Sequence, residues 1–215
     1  DPYEKGMQLS EKRFPVIADQ KNGILKTGFI TDVLDKNGKA IITTDQQADI
    51  EKKYNQARDD YRVINVVFVI DGSEKVQPYM QSVISSIQNS MSLLKTDSRN
   101  KFNYGAVVYR NYNCEDEQIV SLQDLSSNIS TVTNFLQKQT SSALPCSKAK
   151  SDGTAMYYGI SKAVKLFRKK EQNNIVMVIG SGGNYLIDKY NFDETNVSSA
   201  LADMQCSLVS FQVQY

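Results

Sequence analysis

Histidine is absent from this 215-residue chain, and cysteine is scarce, with only three residues. Histidine is the commonest general base in enzymes and the commonest metal ligand in proteins. Its absence therefore removes the usual routes to acid–base catalysis and to zinc binding. No two cysteines have the C-x-x-C spacing of a zinc or redox motif. We expect that the protein is not an enzyme.

The chain also lacks an excess of charge of either sign and lacks long apolar runs. Lysine and arginine together number 25, aspartate and glutamate 24, and the formal net charge is +1. Such a balance creates no long-range field that would attract nucleic acid or an anionic membrane. No apolar run approaches the roughly 18 residues of a membrane-spanning helix. We expect a protein partner, no nucleic acid, and no transmembrane segment in this chain.

Phosphate-binding loops are missing as well. The loop Gly180–Gly183 is rich in glycine, but it has neither the G-K-[ST] ending of a P-loop nor a G-x-G-x-x-G pattern. An enzyme or a nucleotide-handling subunit with its ligand at this loop is one alternative to a purely binding role.

The sequence does contain several strand-like segments. Asn65–Ile70 and Ile175–Ile179 are unbroken runs of mainly apolar residues, which is typical of strands buried on both faces of a parallel sheet. Phe102–Arg110 is predicted as another strand. Gln118–Leu122 follows it after a short return, so we expect an antiparallel strand at the sheet edge. The alternating pattern of Leu208–Val213 predicts a half-exposed last strand, which is either an edge or is covered by an element beyond it.

Amphipathic helices are predicted between these strands. Apolar residues recur at intervals of three and four over residues 76–94, 127–138, 156–167 and 193–204. The alternation of strands and helices predicts an α/β fold over residues 63–215, with a doubly wound, mostly parallel sheet and helices on both faces.

The first part of the chain has a different character. Asn22-Gly23 and Asn37-Gly38 each separate short apolar runs, which is the strongest local signal for a β-hairpin. We predict a small β-rich module over residues 1–44, part of which resembles a bacterial SH3-like barrel. The helical spacing of the apolar residues that follow predicts a connecting helix over residues 45–62.

Polar residues follow the buried strands. Asp71 and Ser73 come directly after the first buried strand, Ser181 follows the second, and Thr154 precedes a predicted helix. The carboxyl ends of parallel strands meet at the edge of the sheet where ligands bind. Asp71 is therefore a candidate binding residue. The alternative is that it only caps the next helix.

These motifs, in this order, resemble a von Willebrand factor A (vWA) domain over residues 65–215. The resemblance implies a metal-ion-dependent adhesion site (MIDAS), which in that family is built from a D-x-S-x-S motif, a threonine and an aspartate, and is completed by a carboxylate of the partner. By that pattern Asp71, Ser73 and Thr154 match metal-site positions.

Two positions depart from the family pattern. Lys75 replaces the second serine of D-x-S-x-S, and Ser181 or Gly180 replaces the aspartate after the second buried strand. Divalent cations such as Mg²⁺ need several oxygen ligands in near-octahedral geometry. We therefore expect a vestigial site without a metal cofactor, in which Lys75 pairs with Asp71. Mg²⁺ binding is the alternative.

Two further carboxylates are candidate replacement ligands. Asp152 and Asp188 lie in loops near the matched positions. The simpler interpretation is that both are solvated loop residues.

The resemblance also implies that the loops at the carboxyl ends of the strands bind a protein partner. Lys75, Ser181, Asn184 and Tyr157 are the predicted contact residues, although Tyr157 has the alternative of packing into a helix interface. The leading hypothesis is a non-catalytic protein–protein interaction module. A metal-dependent adhesin that holds a partner carboxylate through Mg²⁺ is the alternative.

The vWA-like layout places the loops of Cys114 and Cys146 at the same end of the sheet. It therefore implies a disulfide between them, with two free thiols as the alternative. A disulfide requires an oxidising compartment such as the periplasm. The layout of a small SH3-like piece before a vWA domain further resembles an accessory component of the type VI secretion systems of Bacteroidota. That implies a structural role in a larger assembly of the cell envelope, with the cytoplasm as the alternative location.

Overall fold

The computed structural model describes residues 16–20, 24–27, 44–94, 99–140, 146, 153–185 and 192–213. The chain divides into two compact units, Asp1–Gln56 and Ala57–Tyr215. The predicted module boundaries at residues 44 and 62 differ from this division, which falls inside a helix, and they stay predictions.

The first unit contains a β-hairpin. Strands β1 (Val16–Gln20) and β2 (Ile24–Thr27) pair antiparallel on either side of Asn22-Gly23, as the turn signal predicted. The hairpin predicted at Asn37-Gly38 lies outside the described residues. Helix α1 (Thr44–Tyr61) begins in the first unit and ends in the second.

The second unit alternates strands and helices, as predicted. In chain order its elements are β3 (Val63–Asp71), a 3-10 turn (Gln77–Tyr79), α2 (Met80–Leu94), β4 (Lys101–Tyr109), α3 (Asp116–Ile119), β5 (Val120–Ser126), α4 (Ile129–Lys138), α5 (Met156–Val164), β6 (Asn173–Gly180), α6 (Glu194–Asp203) and β7 (Ser207–Gln212).

The sheet order is β5-β4-β3-β6-β7, and only β5 runs antiparallel to its neighbour. The α/β class, the mostly parallel sheet and the antiparallel edge strand are thereby confirmed. The bounds of that edge strand were wrong. A short helix occupies Asp116–Ile119, and the strand begins at Val120 and not at Gln118.

The two faces of β3 are both covered. Phe68 and Ile70 point to the face that packs against α2 and α4, whereas Val67 and Val69 point to the face that packs against α5 and α6. All four side chains are completely buried. This is the physical reason for the unbroken apolar run, because a strand covered on one face only would alternate.

Strand β7 is the other edge of the sheet within the described part of the chain. Its residues Leu208, Val209 and Phe211 are exposed. Among the described helices, none has the length and apolar character needed to cross a membrane.

Asparagines join three strands at the amino-terminal end of the sheet. The amide nitrogen of Asn65 in β3 donates to the side-chain oxygens of Asn174 and Gln172, each at 2.9 Å. Asn103 in β4 donates to the Asn65 oxygen at 2.9 Å. Asn65 and Asn174 are buried, so these bonds satisfy amides that water does not reach.

Candidate functional site

The candidate site lies at the carboxyl-terminal edge of the sheet. We call this edge the top face and define it by residues 71–75, 110–115, 153–157 and 180–185. Asp71, the last residue of β3, is its central charged group and is 0 % exposed. One carboxylate oxygen accepts from the Ser73 N–H at 2.8 Å. The other accepts from the Ser181 N–H at 3.2 Å and from the Ser181 hydroxyl at 2.8 Å.

These hydrogen bonds distinguish between the two roles predicted for Asp71, a binding residue and a helix cap. Its carboxylate faces Ser73 and Ser181, and the following 3-10 turn begins only at Gln77, so the interpretation of Asp71 as a simple helix cap is wrong. Three donors converge on one buried charge. Because hydrogen bonds to an ionised group are about twice as strong as neutral ones, they offset much of the cost of its burial.

Ser181 stands beside Asp71 at the end of β6, where the vWA pattern has an aspartate. A side chain at the preceding position would not fit, because a Cβ on Gly180 would lie less than 3.0 Å from the Tyr109 hydroxyl. Ser181 is therefore the residue that faces Asp71. A neutral hydroxyl donor replaces a negative acceptor there, which removes one negative charge from the site.

Ser73 and Thr154 complete the set of predicted metal-site residues, and both are 0 % exposed. The Thr154 hydroxyl donates to the backbone oxygen of Gly183. The Ser73 hydroxyl is buried without a hydrogen-bond partner among the described residues. The structure thus brings Asp71, Ser73, Thr154 and Ser181 to one edge of the sheet.

This donor set fits Mg²⁺ poorly. It offers one carboxylate that already accepts three hydrogen bonds, one hydroxyl that donates elsewhere and one unpartnered hydroxyl, whereas Mg²⁺ prefers a near-octahedral shell of oxygens with one or two carboxylates. Within the described ranges, no three or more Asp, Glu, Cys or His side chains come together as a metal cluster. Asp152 and Asp188 lie outside those ranges.

Lys75 and its neighbour Glu74 have exposed side chains. Asp71 is fully buried, and its oxygens accept from Ser73 and Ser181. The ion pair between Lys75 and Asp71 stays a prediction, while the hydrogen bonds to Asp71 come from serine groups.

Asn184 and Tyr157, two of the predicted contact residues, meet at the start of α5. The Asn184 side-chain oxygen accepts from the Tyr157 N–H at 2.8 Å, and the Tyr185 N–H donates to the Thr154 backbone oxygen at 3.0 Å. Tyr157 is partly buried against the core, in line with the helix-interface alternative. Tyr185 is 54 % exposed, so it offers the aromatic surface expected of Tyr157.

The loop after β4 is joined to the Thr154 segment from the other side. The Tyr112 N–H donates to the Gly153 oxygen at 2.9 Å, and the Ala155 N–H donates to the Arg110 oxygen at 2.7 Å. Cys114 and Cys146 form a disulfide in this region, with their Cα atoms 6.0 Å apart. Backbone hydrogen bonds therefore connect the 110–115 loop to the 153–157 segment, and connect that segment to the 180–185 loop.

Arg110 is a buried residue that the sequence analysis missed. It is 2 % exposed, and its guanidinium donates to the Gln139 side-chain oxygen at 2.6 Å and to the Ser121 hydroxyl at 3.1 Å. Burial lowers the pKa of this guanidinium. In the described segments no carboxylate pairs with it, but Gln139 caps the carboxyl end of α4, whose dipole is negative there. The sequence signal that could have identified Arg110 is its position, since a charged residue directly follows an apolar strand there.

Tyr109 was also missed as part of the site. Its hydroxyl lies against Gly180, beneath Asp71, and has no hydrogen-bond partner in the described part of the chain. Burial and the nearby Asp71 carboxylate raise the pKa of the Tyr109 phenol.

Comparison with known proteins adds a family and a fold. The model of the TssR protein VWA domain matches residues 17–215. No curated protein sequence matches the chain. The pilus adhesin SpaC from Lactobacillus rhamnosus GG has a similar structure, with a TM-score of 0.52 at 9 % identity over 69 % of this chain and 24 % of SpaC. The chain thus spans about a quarter of SpaC, and the likeness concerns the fold.

A second solved structure is proximal thread matrix protein 1 from the mussel byssus, with a zinc-occupied MIDAS motif. It matches with a TM-score of 0.47 at 14 % identity, over 73 % of this chain and 37 % of that protein.

Proposed function

Because the chain belongs to the TssR VWA domain family, we propose that it is a non-catalytic, metal-independent protein-binding module. In this proposal it serves as a structural component of a type VI secretion assembly. The observation that carries this proposal is the pair of hydrogen bonds from Ser181 to the Asp71 carboxylate. They occupy one of the two Asp71 oxygens that a metal would need, and the Ser73 N–H occupies the other.

Charge supports a site that works without a cation. Two adjacent carboxylates repel each other and favour either a proton or a metal between them, whereas one carboxylate with three hydrogen-bond donors is already compensated. The replacement of an aspartate by Ser181 therefore removes the electrostatic reason for binding Mg²⁺.

The arrangement of the loops supports protein binding. Thr154, Tyr157 and Tyr185 each form a hydrogen bond to or from another loop of the top face. A surface that is ordered before binding loses less conformational freedom when the partner arrives. The proposed contact surface consists of Lys75, Ser181, Asn184, Tyr157 and the exposed Tyr185. The proposed location is the periplasmic side of the cell envelope, where the Cys114–Cys146 disulfide would persist.

The absence of a functional metal site is testable by calorimetric titration with Mg²⁺ and Mn²⁺. The wild-type protein is expected to show no binding tighter than roughly millimolar. The double variant Lys75→Ser/Ser181→Asp restores both missing family ligands and is expected to bind more tightly than the wild type. Wild-type binding tighter than that limit, lost in Asp71→Ala, would overturn the proposal in favour of the metal-dependent adhesin.

The contact surface is testable with a substitution that fits the fold. A Cβ on Gly182 would meet no atom within 4 Å, so Gly182→Arg adds bulk to the top face without displacing a neighbour. Ser198→Arg, on an exposed position of α6, is the matched control. Co-purification of other type VI components with the tagged protein is expected to persist in EDTA, to be lost with Gly182→Arg and to be unaffected by Ser198→Arg. Equal recovery with both variants would exclude this face.

A further inference from the structure

We propose that the Cys114–Cys146 disulfide is a thiol-sensitive brace of the top face, and that its reduction loosens the Thr154 segment and the 181–185 loop. The inference concerns regulation of the surface assigned above and, as a statement about partner binding, it rests on that proposed function. Its structural part stands on contacts alone.

A continuous set of contacts connects the disulfide to Asp71. Cys114 packs in a small buried cluster with Tyr112, Ile119 and Ala155. Tyr112 and Ala155 belong to the two segments that exchange backbone hydrogen bonds around Gly153. The disulfide thus anchors the 110–115 loop, which in turn is hydrogen-bonded to residues 153–155.

The second half of the path starts at Thr154. Its hydroxyl donates to the Gly183 oxygen, and its backbone oxygen accepts from the Tyr185 N–H. The loop that contains Gly183 also contains Ser181, which donates to Asp71. Loss of order at residues 153–155 would therefore remove two of the hydrogen bonds that hold this loop.

The two sulfurs differ in access. Cys114 is 8 % exposed, whereas Cys146 is partly exposed. Disulfide exchange requires a thiolate to reach one sulfur. Attack is expected at Cys146, where the incoming thiol has room, with the Cys114 thiolate as the leaving group.

The exchange balances with an external dithiol as the reductant. One thiolate of the dithiol bonds to the Cys146 sulfur and the Cys146–Cys114 bond breaks, so that the electron pair leaves on Cys114, which takes up a proton. The second thiolate of the dithiol then displaces Cys146 from the mixed disulfide. The protein gains two thiols, and the dithiol becomes a cyclic disulfide. Cys206 takes no part, because it directly precedes β7 at the amino-terminal end of that strand, opposite the top face.

Amide hydrogen exchange of the full chain, read by mass spectrometry before and after treatment with dithiothreitol, tests the brace. Exchange at residues 110–115, 153–157 and 181–185 is expected to become at least tenfold faster after reduction, while the centres of β3 and β6 stay protected. Cys114→Ser/Cys146→Ser is expected to exchange like the reduced protein and not to respond to dithiothreitol. Cys206→Ser is expected to behave like the wild type.

Two results would overturn the inference. Faster exchange confined to residues 110–115 would show that the disulfide stabilises only its own loop. Labelling of all three cysteines by a maleimide in unfolded, unreduced protein would show that the bond does not form. In a separate measurement, glutathione at limiting concentration is expected to leave its adduct on the Cys146 peptide, and an adduct on Cys114 would contradict the assigned point of attack. None of these readouts involves a partner or a metal, so their failure leaves the tests of the proposed function intact.

Discussion

The contact between Gly180 and Tyr109 allows a sharp test of the packing beneath the site. A Cβ at position 180 would lie under 3.0 Å from the Tyr109 hydroxyl, closer than real Cβ contacts come. The next nearest atoms are the Asp71 Cβ at 3.4 Å and the Tyr109 Cζ at 3.7 Å, which are ordinary van der Waals distances. The hydroxyl oxygen is therefore the one atom that excludes alanine.

The expected free energies follow from this geometry. Gly180→Ala should destabilise the protein by about 1–3 kcal/mol, since inserting a methyl group into a filled core forces its neighbours to move. Tyr109→Phe removes a buried hydroxyl that has no partner among the described residues, so it should cost little or stabilise by up to about 1 kcal/mol. In the double variant the added methyl group occupies the space of the lost oxygen. The two changes should therefore be coupled favourably by about 1–3 kcal/mol.

Urea unfolding followed by circular dichroism measures all four free energies of unfolding. Gly182→Ala is the control, because its Cβ would meet nothing within 4 Å and it should change stability little in either background. Additive effects of Gly180→Ala and Tyr109→Phe would refute the reasoning. So would a loss of more than about 1 kcal/mol in Tyr109→Phe alone, because it would mean that the hydroxyl has a partner.

Two further predictions concern the opposite end of the sheet. Asn65→Leu should lower the free energy of unfolding by about 2–4 kcal/mol, because it leaves the buried Asn174 oxygen and the half-buried Asn103 amide without this partner; a loss under about 1 kcal/mol in urea unfolding would contradict it. Burial raises the pKa of Cys206 from 9.0 to about 11. At pH 8 its reaction with a disulfide reagent should therefore be about 100-fold slower in the folded protein than in urea, and equal rates would exclude the shift. Since the folded pKa is the higher one, the associated stability is complete below pH 9 and is lost as the pH rises toward 11.

Most of the second unit was predictable because its central strands are buried, unlike the exposed edge strand β7. Burial on both sides of β3, and on one side of β6 with partial burial of the other, demands apolar residues at almost every position, and that demand is visible in the sequence. The start of β5 was not predictable in the same way. Residues 116–119 form a short helix whose Ile119 is buried, and one buried isoleucine fits either a strand or a helical turn.

The location of the site was predictable from the sequence, but the hydrogen bonds within it were not. The carboxyl ends of β3 and β6 had to meet, so Asp71 and Ser181 had to be neighbours. Which of Gly180 and Ser181 faces Asp71 depends on the Tyr109 ring, which comes from a third strand. The partners of Arg110 depend likewise on Gln139 at the end of α4, and no local pattern connects residues so far apart in sequence.

The hydrogen bonds of Asp71 explain why a vWA fold can keep its central aspartate without a metal. Asp71 is completely buried, so its charge must be compensated within the folded protein. In a site with two carboxylates a cation supplies that compensation, and the shape of the loops then depends on the metal concentration. Here the backbone of Ser73 and both donors of Ser181 supply it from within the chain. If the proposed metal-independent function holds, the top face should keep one shape whether or not Mg²⁺ is present.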